Sequence, residues 1–200
     1  MFPLGAVLFP YLPLHLRVFE ERYLIMLSRM LEARTAEFGV VLIERGQEVG
    51  GGEHRFRYGT VAQITELGAS EGFVGVVAQG DRRFEVLEWL DETPHPRARV
   101  NDLPELDWDE GLLPLRDQAE ALVRRTLAQA SEFTEQLWPA DVELSDDPVQ
   151  AVWQLAGVAP LGELDQMSLL RATSMGELLR GLIESTTAVG ESLSAPWPDA

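Results

Sequence analysis

Three histidines are the residues in this chain best suited to acid–base chemistry: His15, His54 and His95. A serine hydrolase would place one of them beside a serine presented by a sharp turn, as in Gly-x-Ser-x-Gly, and that motif is absent. No two histidines stand at the spacing of a zinc site, and the chain has no cysteine to supply a thiol nucleophile or a disulfide. We therefore expect no catalytic residue and no metal site.

Carboxylates cluster at Asp102–Glu110 and at Asp141–Asp147 and could in principle bind calcium or magnesium. Neither cluster has the regular acidic spacing and the glycine of an EF-hand loop, so we interpret both as solvated linkers. The glycine run at 50–52 is not followed by a helix and a basic residue at the spacing that phosphate binding needs, and it predicts a hairpin tip. We expect no cofactor.

All sixteen basic residues are arginine, so lysine chemistry is excluded. Arg55, Arg57, Arg82 and Arg83 could form a face for RNA if neighbouring strands bring them together. Against this stands a net charge of −17, with 19 acids and 5 bases in residues 101–200. Because such a surface repels phosphate backbones, nucleic-acid binding is the less favoured alternative.

The predicted secondary structure that positions these residues changes from strands to helices near residue 110. Acidic residues are concentrated there around Pro104 and Trp108. Alternating apolar residues predict strands before that point, and helical spacing predicts helices after it. This is an α+β chain with expected regions 1–110 and 111–200. The predicted strands are Leu4–Phe9, Leu14–Phe19, Phe38–Glu44, Arg55–Leu67, Phe73–Gln79, Arg83–Leu90 and Arg97–Leu103. The predicted helices are Glu20–Ala33, Leu115–Leu137, Pro148–Gly157, Leu161–Ala172 and one that Ser174 caps.

The apolar amino terminus lacks a basic region, and no apolar run approaches the roughly 18 residues of a membrane helix. We therefore predict a cytoplasmic protein that does not bind a membrane.

Five blocks along the chain together point to one family. They are residues 1–23, with Val-Leu-Phe-Pro, Leu-Pro-Leu and Phe-Glu-x-Arg-Tyr; residues 38–43; Tyr-Gly-Thr-Val-Ala-Gln-Ile at 58–64; Gly-Asp-Arg-Arg-Phe at 80–84; and the helical close at 155–170. In this order they resemble the amino-terminal domain of bacterial Lon proteases. The resemblance implies a small pseudobarrel similar to PUA-type barrels, followed by a helical bundle.

The same resemblance implies substrate recognition rather than catalysis, because Lon proteases cleave with a serine–lysine dyad and this chain has no lysine. The P-loop motif of an ATPase is also absent. We expect a stand-alone, ATP-independent domain that binds extended or partly unfolded polypeptide through an apolar groove rimmed with acidic residues. Two alternatives stay open: an adaptor for one specific protein, and an RNA-binding barrel. A homodimer is also compatible with the sequence.

Aromatic residues are the candidate polypeptide contacts, although each could equally pack in the core. They are Tyr58, Phe73, Trp89 and Trp108. The residues of the family motif are expected to have structural roles, with Glu20 and Arg22 paired where the helix begins. Phe19 and Tyr23 are four residues apart and are expected to share one buried helical face. The motif residues are Phe9, Pro10, Phe19, Glu20, Arg22 and Tyr23.

Overall fold

The computed structural model describes residues 1–45 and 54–195, which form two compact units, Met1–Glu105 and Leu106–Ala200. Within the described residues the first unit has six strands and one α-helix, and the second has four α-helices. The predicted α+β class is confirmed. The turn expected at the glycine run lies outside the described residues. The division into domains 1–110 and 111–200 stays a prediction.

One six-stranded sheet builds the first unit. Its elements in chain order are β1 Phe2–Leu4, β2 Pro13–Val18, α1 Glu21–Ala33, β3 Glu37–Arg45, β4 His54–Ser70, β5 Phe73–Leu90 and β6 Arg97–Asp102. Strand order is β1-β3-β4-β5-β2, with β6 also on β5, and only the β1–β3 pair is parallel. The long strand β5 pairs with β2 through residues 74–79 and with β6 through residues 84–90.

Two predictions in this unit are wrong. The apolar run after Leu4 is not a strand, although Leu8 and Phe9 are buried. At Leu8 a side chain supplies a backbone hydrogen bond, since Thr60 Oγ1 donates to Leu8 O at 2.6 Å. The predicted strands Phe73–Gln79 and Arg83–Leu90 form one continuous strand, β5, so the break expected at Gly80 is absent. Gly80 N–H donates to Leu12 O, and the Gly80 carbonyl accepts Tyr11 N–H, so these bonds hold the backbone extended.

The core of the sheet unit follows the alternation of its strands. Val41, Val61, Phe84 and Val86 form one cluster, and Trp89 packs against it. Helix α1 adds Tyr23, Met26 and Leu27, which are spaced three and four apart and are buried.

The second unit contains α2 Leu113–Ala130, α3 Pro148–Val158, α4 Glu163–Leu170 and α5 Met175–Ser194. Asp147 caps α3 by accepting Gln150 N–H at 2.9 Å, and Ser174 Oγ accepts Glu177 N–H at 3.2 Å, so both predicted caps are confirmed. Helix α2 ends seven residues before its predicted end. None of the described helices is long and apolar enough to cross a membrane.

Candidate functional site

A shallow groove of about 440 Å³ lies on the face of the sheet formed by β2, β5 and the end of β4. Its floor is made by two glycines paired across the hairpin, Gly68 and Gly75. A Cβ atom added to Gly68 would meet no atom within 4 Å, and one added to Gly75 would meet only Gly68 O at 3.5 Å. The groove therefore exists because two neighbouring strand positions have no side chain.

The walls of the groove are largely apolar. Its apolar lining residues are Leu16, Leu67, Phe73, Val76 and Val77. Leu67 is 39% exposed, and both Leu16 and Phe73 are half-buried, so a ligand would remove apolar surface from water here.

Arg17 is the cation of the groove, and a glutamate, Glu66, also lines it. Arg17 lies opposite Gly75 in the β2–β5 register, and its guanidinium sits 5.4 Å from the centre of the Phe73 ring. This distance is that of a cation–π contact, which orients the charge without neutralising it.

A second cavity of about 180 Å³ shares His15, Leu16 and Arg17 with the groove. Its other lining residues come from β1 and from the start of α1, and they include Phe2, Phe19 and Tyr23. Strand β2 therefore contributes to two adjoining hollows.

Of the four predicted aromatic contacts, only Phe73 lines the groove. Trp89 stands under Arg55 at 4.9 Å and packs on the core cluster, while Tyr58 is half-buried opposite Glu85. Trp108 belongs to the second unit, where its indole N–H donates to Glu110 at 3.2 Å. The structure therefore does not bring the four aromatic residues together within the sheet unit.

The prediction for Phe19 is wrong, because this side chain is 57% exposed rather than buried on a helical face. Helix α1 begins only at Glu21, and the preceding Glu20 has extended backbone angles, so Phe19 and Tyr23 do not share a helical face. Phe19 lines the smaller cavity instead and becomes a candidate contact residue.

Other residues of the motif fix the junction between the sheet and α1. Tyr23 is buried and stacks on Phe2 with ring centroids 4.2 Å apart. Arg22 lies over the Tyr23 ring at 4.5 Å and donates from Nε to Glu20 at 3.1 Å, which matches the ion pair expected at the helix start.

Phe9 and Pro10 lie at the close approach of the first loop to β5. Phe9 is fully buried, and its carbonyl oxygen would be only 2.1 Å from a Cβ on Gly80. The close approach of the Phe9 backbone therefore requires a residue without a side chain at position 80.

The three histidines occupy different environments. His15 is exposed at the groove, and His54 is exposed where β4 begins. His95 is buried, with Nδ1 3.2 Å from Pro96 O, and this burial lowers the pKa of its imidazole. Over residues 1–45 and 54–195, no group of three or more His, Cys, Asp or Glu side chains is placed to hold a metal ion.

The four arginines considered for an RNA face bond to acceptors of the protein. Arg55 contacts Glu92 at 2.6 Å, Arg57 donates to Val86 O at 2.7 Å, Arg82 donates to Glu37 at 2.9 Å, and Arg83 donates to Pro104 O at 2.8 Å. The bond from Arg82 lowers the pKa of the Glu37 carboxyl. These guanidinium groups thus stabilise the sheet unit.

Sequence reasoning missed Gly68, Gly75 and Arg17. A signal was available, since a hairpin turn at 71–72 pairs Ser70 with Phe73 and so pairs the two glycines. The position of Arg17 depends on a pairing between residues almost sixty apart, and no local pattern reports it.

Comparison with known proteins gives a consistent result. Residues 1–187 match the family model described as the ATP-dependent protease La (LON) substrate-binding domain. A Lon protease from Heliobacterium modesticaldum (strain ATCC 51547 / Ice1) is 26% identical over 187 residues, which cover 90% of this chain and 22% of that protein. The chain thus spans about a fifth of the length of this curated relative.

Two solved structures share the fold. A Lon N-terminal domain protein from Xanthomonas campestris aligns with a TM-score of 0.63 and 23% identity over 92% of this chain and 95% of that one. The N-terminal domain of a Mycobacterium avium complex Lon protease aligns with a TM-score of 0.59 and 18% identity over 92% and 96% of the two chains.

Proposed function

Because the chain belongs to the family of Lon substrate-binding domains, we propose that it captures extended or partly unfolded polypeptide without catalysing a reaction. The matched module is the substrate-binding one and not the protease domain. We further propose that capture needs neither ATP nor a metal ion and takes place in the cytoplasm.

The observation that supports this proposal best is the glycine floor of the groove. A strand face with no side chains at Gly68 and Gly75 lets another chain approach the sheet backbone closely. The apolar walls then supply affinity by burial, and this suits polypeptides whose apolar side chains are not already packed.

The charge around the groove changes one expectation. Within the sheet unit, Asp102 and Glu105 do not line the groove, whereas His15, Arg17 and Glu66 do. A preference for basic segments is therefore not expected from this groove, and the acidic linker stays only a predicted modulator of the association rate.

The second unit favours an alternative, an adaptor that docks one specific protein. Four large apolar side chains among the described residues of this unit are exposed: Leu137 by 88%, Leu164 by 71%, Phe133 by 56% and Leu113 by 39%. Exposed apolar residues that form a patch often mark an interface.

One pair of variants separates the two proposals. Leu67→Asp puts a charge on the wall of the groove, and Leu137→Asp makes the same change on the helical unit. Each purified variant, checked for native circular dichroism, would be tested for its ability to slow aggregation of chemically denatured citrate synthase without ATP. Polypeptide capture predicts that Leu67→Asp loses protection and Leu137→Asp retains it.

The opposite pattern, or no protection by the unmodified protein, would contradict capture through the groove. A single stoichiometric partner recovered with the unmodified protein and lost with Leu137→Asp would establish the adaptor in its place.

A further inference from the structure

Strand β2 is the last strand in the order of the sheet, so its outer edge is the feature of interest. Strand β2 pairs with β5 alone among the described strands, just as β1 at the other end of the path pairs with β3 alone. Phe2 and Leu4 of β1 line the same 180 Å³ cavity as His15 and Arg17 of β2. The two end strands thus border one hollow without pairing across it.

The register identifies the backbone groups that face this hollow. Leu12 O accepts Gly80 N–H, so this pair is of the hydrogen-bonded type, and such pairs alternate along an antiparallel ladder. Counting along β2, Leu14 and Leu16 bond to β5, whereas His15 and Arg17 direct N–H and C=O away from it. Pro13, which has no N–H to donate, occupies the same outward register.

Arg17 places a positive charge at this edge, while Glu66 lines the adjoining groove and Glu20 lines the smaller cavity. Arg17 makes no ion pair within residues 1–45 and 54–195, while the nearby Glu20 is already bonded to Arg22. A carboxylate on an added strand would therefore meet a cation that has no acidic partner among the described residues, and opposite charges placed across two strands stabilise the pair.

We propose that extended polypeptide binds this protein by strand addition to the outer edge of β2, with an acidic side chain beside Arg17. The added backbone bonds to the outward groups of His15 and Arg17, and alternate side chains enter the two hollows. This inference rests on the proposed function and specifies how the polypeptide is held. It selects acidic rather than basic apolar segments.

The first test probes the backbone of the ligand. The probe is a fluorescein-labelled decapeptide that alternates valine with threonine and contains one central phenylalanine and one aspartate. Strand addition predicts that N-methylation of one alternate set of residues weakens binding about tenfold or more, while methylation of the other set has little effect, because only every second N–H faces β2. Fluorescence anisotropy gives both affinities with the protein unchanged.

The second test removes one outward donor from β2. His15→Pro deletes the N–H that faces the hollow and breaks no bond to β5, whereas His15→Ala removes the same side chain and keeps the N–H. We expect weaker binding for the proline variant alone. Arg17→Glu should reverse the preference from the aspartate probe to a matched lysine probe.

The outcomes separate the two levels of the proposal. Equal effects of both methylation sets overturn strand addition, even if His15→Pro fails to fold, and leave polypeptide capture standing. A probe that does not bind, while the denatured client is still protected, overturns strand addition alone; failure of both overturns the proposed function as well. If the protein is a dimer and His15→Pro dissociates it, a second copy of the chain occupies the outer edge of β2. That result also overturns the inference.

Discussion

Replacing Gly68 with valine should weaken ligand binding without weakening the fold. The structure gives the magnitude, since a Cβ at Gly68 meets no atom within 4 Å and its φ is not in the left-handed region. Glycine is a poor strand residue, by roughly 0.5–1 kcal/mol, and valine is a good one. The free energy of unfolding should therefore stay constant or rise by up to about 1 kcal/mol.

The same side chain would occupy the floor of a groove of about 440 Å³, at the position opposite Gly75. We expect the affinity for the decapeptide to fall about tenfold or more, equivalent to about 1.4 kcal/mol of binding free energy. Ala69→Val is the matched control, because Ala69 is an exposed neighbour on the same strand that does not line the groove. Urea denaturation and fluorescence anisotropy measure the two quantities on the same samples.

Two results would refute this reasoning. If Gly68→Val lowers the free energy of unfolding by more than about 1 kcal/mol, the space above the floor is not free. If it folds normally and binds as tightly as the unmodified protein, the groove is not the site.

Three further predictions concern stability, and urea unfolding tests each. Phe19→Ala should cost less than about 1 kcal/mol, since the side chain is largely exposed, whereas Tyr23→Ala should cost about 3–5 kcal/mol; equal costs would contradict the assignment. Thr60→Val should cost about 1–3 kcal/mol, because it leaves a buried carbonyl without its donor, and a neutral result would mean that water replaces the hydroxyl. Burial lowers the pKa of the Met1 amino group from 8.0 to about 5 and also lowers the pKa of His95, so the unfolded chain binds more protons in this range. Stability should therefore rise from pH 5 to pH 8 in protein beginning at Met1, and a flat or falling profile over that window would show that these groups are solvated.

Local sequence signals predicted the helical unit well, because the information lies within a few residues. Asp147 followed by Pro148, and Ser174 followed by Glu177, mark where two helices begin through contacts that span three or four positions. The end of α2 was harder to predict, since apolar residues continue past Ala130 while the chain turns. There Arg124 donates to the carbonyls of Ala140 and Val142, sixteen and eighteen residues away.

The groove could be predicted only in part. Phe73 was identified as a candidate contact from its residue type, and it does line the groove. The spacing of four between Phe19 and Tyr23 predicts a shared helical face, but the helix begins two residues after Phe19, so Phe19 lies outside it. The location of Arg17 beside Gly75 follows from a pairing between distant strands, which single-sequence periodicity does not encode.

The anchoring of Met1 has a consequence for synthesis of the protein. Its amino group donates to Pro96 O at 2.9 Å, and β1 and β2 pair only with strands that are translated later. Strand β2 must therefore wait until about sixty more residues have been made, which takes roughly 3–12 s at ribosomal speeds. During that interval Val18, which later pairs with Val74 and becomes buried, remains exposed to solvent in the nascent chain. A domain that is proposed to bind unfolded polypeptides thus has an unpaired apolar strand of its own while it is being synthesised.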